Sequence, residues 1–134
     1  MFKFFQWCAG LLLVASTLAV GNPEASATSL SQQWPASCQA TQTSLNLCAA
    51  KYLAQENALI QQALVAEKMA HFNARAVASV QRNWQIYATS ECTVVASPFK
   101  GGSIYPLEYG LCAIKLAQQR VVQIRTDVAS LRGH

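Results

Sequence analysis

Five cysteines are the residues of this 134-residue chain whose type and spacing can do covalent chemistry. Cys8 lies at the edge of an apolar N-terminal stretch. Cys38, Cys48, Cys92 and Cys112 lie beyond it, an even set that points to two disulfides and away from catalysis. A zinc centre is a poor reading, because no C-x-x-C pair is present and the only histidines are His71 and His134. The carboxylates offer no better site. Glu56 and Glu67 would share a helix face but stand about 16 Å apart along the axis, too far for the paired acids of a glycosidase. Glu67 and His71, at i and i+4, read as a surface pair. Ser103 has no histidine near it in sequence, and Gly101-Gly102 lacks the strand and lysine of a phosphate loop. The expectation is a protein that is not an enzyme and takes no cofactor or metal.

The elements that hold these residues begin after a leader. Residues 1–27 read as a signal peptide: Lys3 supplies the positive end, and Ala9 to Val20 is an apolar run of h-region length, short for a membrane span. Pro23 breaks it, and Ala25-Ser26-Ala27 is an A-x-A cleavage site that puts the mature start at Thr28. Cys8 precedes most of the apolar run and so is not placed as a lipid-attachment cysteine. After cleavage no membrane attachment is expected, and the location is periplasmic or secreted from a bacterium, where disulfides persist. The mature chain carries four lysines and five arginines against five acids. These charges are scattered, without a basic run or interleaved aromatics, which argues against nucleic acid as a partner.

Residues 28–37 form a Ser/Gln-rich lead-in expected to be flexible, and 38–134 form one helical domain. No Gly or Pro occurs from Thr41 to Cys92. Leu45, Cys48, Tyr52, Leu59, Ala63 and Ala66 recur at helical steps, and Ile60 and Leu64 widen the stripe. Val77, Val80, Trp84 and Tyr87 repeat the pattern, which places Trp84 and Tyr87 in the core. One helix over this whole span would be about 78 Å long, too long for so small a domain. The helix therefore breaks near His71 to Asn73, with Asn73 as the capping residue. Ser97-Pro98 and Gly101-Gly102-Ser103 mark a loop. Pro106 suits the first turn of a third helix, whose stripe is Leu107, Leu111, Ile114, Val121, Ile124, Val128 and Leu131. Gly110 weakens its opening turns.

The predicted fold is all-α: a small three-helix domain, an antiparallel helical hairpin plus a third helix, stapled by two disulfides. This topology brings the four cysteines to one end. Local pairing, Cys38 with Cys48 and Cys92 with Cys112, is preferred. Cys48 would lie about 10 Å along a helix that starts at Thr41, so Cys38 has to fold back nearly extended to meet it. The crossed pairing, Cys38 with Cys112 and Cys48 with Cys92, stays open.

Three motifs in order carry a likeness to a known family. Leu45-Asn46-Leu47-Cys48-Ala49 with Tyr52 matches an Asn-x-Cys-Ala opening followed by an aromatic. Gln81-Arg82-Asn83-Trp84-Gln85-Ile86-Tyr87 with Cys92 matches a Gln-x-x-Trp-x-x-aromatic helix ending in cysteine. Gly101-Gly102-Ser103-Ile104-Tyr105-Pro106-Leu107, then Cys112 and Arg120, is the most specific. On these the chain resembles the secreted LprI-type lysozyme inhibitor family, in its cysteine-bearing N-terminal domain, over about Cys38 to Leu131. It departs from the family pattern at Ala88-Thr89, where Arg-Asp is common, and at Ala117, where threonine is common. In the first helix it has Gln55-Glu56 and Leu59-Ile60 in place of Ala-Asp and Leu-Asn.

The resemblance implies a steric inhibitor that presents a loop to lysozyme. Loops held by a rigid scaffold commonly carry contacts, and Ser97 to Tyr105 is such a loop. Phe99, Lys100, Gly101, Gly102, Ser103 and Tyr105 are the contact candidates. The plainer reading gives Gly101-Gly102 a purely backbone role and packs Tyr105 under the third helix. Arg120 either pairs with an acid inside the bundle or faces solvent. A mildly basic protein forgoes electrostatic steering toward the basic animal-type lysozymes. The alternative function is a helical envelope module that binds another envelope protein and leaves lysozyme alone.

Overall fold

The computed structural model describes residues 33–70 and 73–132. The expected leader, the first residues of the lead-in, His71 and His134 lie outside them. Ala36–Gln39 forms a single helical turn, α1. Three long helices follow: α2 (Gln42–Met69), α3 (Ala74–Ala96) and α4 (Tyr105–Arg132), with a 3₁₀ turn at Ser97–Phe99. No strand occurs among the described residues. The fold is the all-α domain expected, with α1 as an addition.

Each boundary has a local cause. Thr41 caps α2 reciprocally: its hydroxyl accepts from the Ser44 amide at 3.0 Å, and the Ser44 hydroxyl accepts from the Thr41 amide at 2.8 Å. Asn73 opens α3, its Oδ1 accepting from the amides of Arg75 and Ala76 at 3.0 and 3.2 Å. α3 runs past Cys92 to Ala96, one turn beyond the sequence boundary. What stops it is Pro98, which has no amide proton to continue the ladder.

α4 is the central element. α2 and α3 both pack on it and touch each other little. α2 runs parallel to α4, because Ala49 meets Gly110 and Glu56 meets Gln118 one level higher. α3 runs antiparallel to α4, because Cys92 joins Cys112 while Gln81 meets Arg120. A Cβ built on Gly110 would sit 2.9 Å from the Ala49 Cβ, so glycine is what lets α2 and α4 close at this level. The core has two parts. Trp34, Cys38, Ala49, Leu107, Leu111 and Ile114 fill the stapled end. Ile60, Leu64, Val77, Val121, Ile124 and Val128 fill the far part, around Ala63 and Ala117.

Both disulfides sit at the same end. Cys38 is joined to Cys48 with Cα atoms 5.7 Å apart, and Cys92 to Cys112 with Cα atoms 5.5 Å apart. Cys38 does not reach back as an extended strand. It sits in α1, whose turn is closed by the Cys38 amide on the Pro35 carbonyl at 2.8 Å, and the Ser44 hydroxyl donates to the Cys38 carbonyl at 3.1 Å. Trp34, read from sequence as part of the lead-in, is only 9 % exposed. It stacks on Tyr52 with ring centroids 5.1 Å apart, and its carbonyl accepts from Gln39 Nε2 at 2.7 Å.

The α3 stripe is half right. Val77 is buried and Trp84 packs half-buried against the core, whereas Val80 and Tyr87 are exposed. α3 has essentially one neighbour, so it buries a narrow face, and residues on the stripe's outer side meet only solvent. Leu131 is exposed for a related reason: it lies in the last turn of α4, level with the end of α2.

Candidate functional site

The stapled-end loop is built by short backbone bonds and two glycines. The Lys100 amide donates to the Ser97 carbonyl at 3.2 Å and closes the 3₁₀ turn. The Gly102 amide donates to the Phe99 carbonyl at 2.9 Å, and the Tyr105 amide to the Gly102 carbonyl at 3.3 Å. Gly101 has φ +83°, the left-handed region that glycine enters without penalty. A Cβ on Gly102 would lie 3.2 Å from the Phe99 carbonyl oxygen, so both glycines serve the turn. Asn46 of α2 reaches across and donates from Nδ2 to the Ser103 carbonyl at 2.9 Å. The Cys92–Cys112 bond brackets the whole loop.

This arrangement presents part of the sequence-derived set outward. Phe99 is 38 % exposed, and Lys100, Gly101, Gly102 and Ser103 are exposed. Tyr105 is half-buried as the first residue of α4. The projecting side chains are thus an aromatic and a cation side by side on a turn fixed from both flanks.

The structure corrects two readings of charged residues. Arg120 does not face solvent, and among the described residues it pairs with no acid. It is 4 % exposed, and its Nε donates to Gln81 Oε1 at 3.1 Å while a terminal nitrogen donates to Gln123 Oε1 at 2.8 Å. The bundle supplies amides at that level, and charge-to-amide hydrogen bonds offset part of the burial cost. Glu67 is not on the surface. It is 8 % exposed on the packed face of α2, and its Oε2 has no hydrogen-bond partner among the described residues.

α2 and α3 diverge on either side of α4, and a groove of about 490 Å³ opens between them. α2 lines it with Leu53, Asn57, Ile60 and Gln61. α3 contributes Gln81, Trp84, Gln85, Ala88 and Thr89, and α4 contributes Tyr109 and Ala113. Sequence reasoning placed Trp84 in the core and did not find this groove. One signal was present: Gln81 follows Val77 by four residues, so an amide occupies a position of the buried stripe. Tyr109 carried no comparable signal.

Among the described residues no cluster of His, Cys, Asp and Glu is placed to hold a metal. None of the described helices is long and apolar enough to cross a membrane.

Among curated proteins and among solved structures, no significant match to the chain was found. The model of one protein family, described as lysozyme inhibitor LprI, matches residues 35–124. That span takes in α1 to most of α4, both disulfides and the stapled-end loop, and the chain belongs to the LprI lysozyme inhibitor family.

Proposed function

We propose that this protein is a periplasmic or secreted inhibitor of lysozyme that acts by steric binding through the stapled-end loop. The observation that carries the reading is the Ser97–Ser103 turn, held by the Cys92–Cys112 bond and the Asn46 amide while Phe99 and Lys100 project from it. A loop ordered before binding loses little conformational freedom in the complex. Aromatic side chains such as Phe99 are enriched at protein interfaces, whereas lysine is depleted there, so Phe99 is the anchor of the pair. The inhibitor performs no reaction. It occupies the enzyme's glycan cleft and shuts substrate out. Two disulfides fit an oxidising compartment, which is where lysozyme would be met.

Both this chain and animal-type lysozymes are basic, so recognition rests on shape and on the buried area of Phe99, with little steering by charge. The test is lysis of bacterial cell walls by lysozyme in the presence of the oxidised protein, at low and moderate salt. Dose-dependent inhibition that survives added salt is the expected outcome. No inhibition of any lysozyme type, with the protein folded and both disulfides formed, refutes the reading.

A second reading has its own observation. Val80, Tyr87 and Val94 are all more than half exposed and lie seven residues apart along α3, so they form a continuous stripe off the core. Such a stripe suits a helical module that docks on another envelope protein. The two readings separate cleanly, since a change at Tyr87 affects the second and spares the first.

A further inference from the structure

We propose that the groove between α2 and α3 is a saccharide site that takes a neutral sugar bearing an acetamido group. The argument starts at Arg120. A guanidinium has only donors, so the Gln81 atom 3.1 Å from Arg120 Nε must be the carboxamide oxygen. The Gln81 NH₂ is then turned away from the guanidinium. Gln81 is 6 % exposed, lines the groove, and its Nε2 makes no hydrogen bond among the described residues. A buried charge therefore orients a donor toward the open groove, where a ligand's carbonyl oxygen can take the place of water.

The rest of the lining narrows the chemistry. None of the groove residues is charged, and the buried Arg120 guanidinium beside Gln81 donates to the amides of Gln81 and Gln123. The lining itself offers no counter-charge that would pair with an ionic ligand. Trp84 offers an aromatic face, suited to the apolar C–H face of a sugar ring. Leu53 and Ile60 offer an apolar wall for a methyl group. Asn57, Gln61 and Gln85 offer both donors and acceptors to hydroxyls. An acetamido sugar matches every one of these groups: carbonyl to Gln81 Nε2, methyl to the apolar wall, ring face to Trp84. The volume lies within the ~300–1,000 Å³ range of small-molecule sites. The site is separate from the stapled-end loop and does not depend on its role.

The test titrates the oxidised protein with the trimer of N-acetylglucosamine and follows the Trp84 indole N–H signal by NMR, with no lysozyme present. The glucose trimer and a short neutral glutamine-rich peptide serve as competitors. Gln81→Glu keeps an oxygen for Arg120 and replaces the NH₂ with a second acceptor. Gln85→Ala removes an exposed amide and leaves the packing untouched. The acetylated trimer should shift the Trp84 signal, and the glucose trimer should bind about tenfold more weakly or worse. Gln81→Glu should weaken binding by about tenfold at a melting temperature no lower than wild type, because the new carboxylate pairs with the buried Arg120, and Gln85→Ala should weaken it by a smaller factor. The proposal is overturned by an unmoved Trp84 signal, by tighter binding of the peptide, or by affinity that neither variant changes. If Gln81→Glu fails to fold, Gln85→Ala decides alone.

Discussion

Gly110→Ala puts the α2–α4 contact to a quantitative test. In an exposed helix interior this change stabilises by about 1 kcal/mol, through propensity. Here the new Cβ would meet the Ala49 Cβ at 2.9 Å, with the Ala49 Cα and carbonyl carbon behind it at 3.8 Å. Alanine has no rotamer to move aside, so the helices must separate and loosen the neighbouring Leu107, Leu111 and Ile114 packing. Overpacking of this kind costs about 1–3 kcal/mol, which outweighs the propensity gain and leaves a net loss near 1 kcal/mol. For a domain of this size that lowers Tm by about 4–8 °C. Ala49→Gly alone should cost about 1 kcal/mol as a helix-interior glycine. The double variant moves the methyl from one helix to the other, removes the clash and should return close to wild type, a coupling of about 2 kcal/mol. Thermal and urea unfolding of the oxidised proteins measure all four corners. A more stable Gly110→Ala, or a cycle that is additive, would refute the close approach.

The two described tryptophans should rank opposite to the sequence pattern. Trp34→Ala should cost about 3–5 kcal/mol, because the ring is nearly fully buried and stacked on Tyr52. Trp84→Ala should cost about half as much, because the ring is half-buried at the groove; denaturant midpoints of the two variants decide. Opening the Cys92–Cys112 bond with paired serines should cost about 3 kcal/mol, from the loop of 20 residues that it closes. Limited trypsin digestion should then cut after Lys100 faster than in wild type, and an unchanged cleavage rate would show that the bond does not order the loop.

The helices, their order and the clustering of the cysteines were readable from residue pattern because each rests on local chemistry. Asn73 caps wherever it opens a helix, and the α4 stripe from Leu107 to Val128 repeats at helical spacing. What pattern could not show is how many neighbours each helix has. α3 packs mainly on α4, so Val80 and Tyr87 stay outside although their spacing matches the buried Val77. The lead-in hid Trp34 because its burial depends on Tyr52, and on a turn at Pro35–Cys38 that no periodicity announces. Arg120 drew the expectation of an acid or of solvent, whereas its partners are amides, Gln123 on its own helix and Gln81 on another, 39 residues away in sequence. The loop candidates Phe99 to Ser103 were marked by composition, and their exposure followed from the staple. The groove follows from the divergence of two helices, a property of the assembled bundle.

The central claim is that the loop Phe99–Ser103 is the inhibitory surface. Its most direct measurement is the lysozyme inhibition constant of the oxidised wild-type protein beside that of Phe99→Ala/Lys100→Ala, with Tm recorded on the same samples. Lys100 is exposed and Phe99 is 38 % exposed, so the account predicts inhibition by wild type, inhibition at least about tenfold weaker in the double variant, and a stability loss of no more than about 1–2 kcal/mol from the covered part of Phe99. Equal inhibition by the two proteins, or no inhibition by the folded wild type, would contradict it.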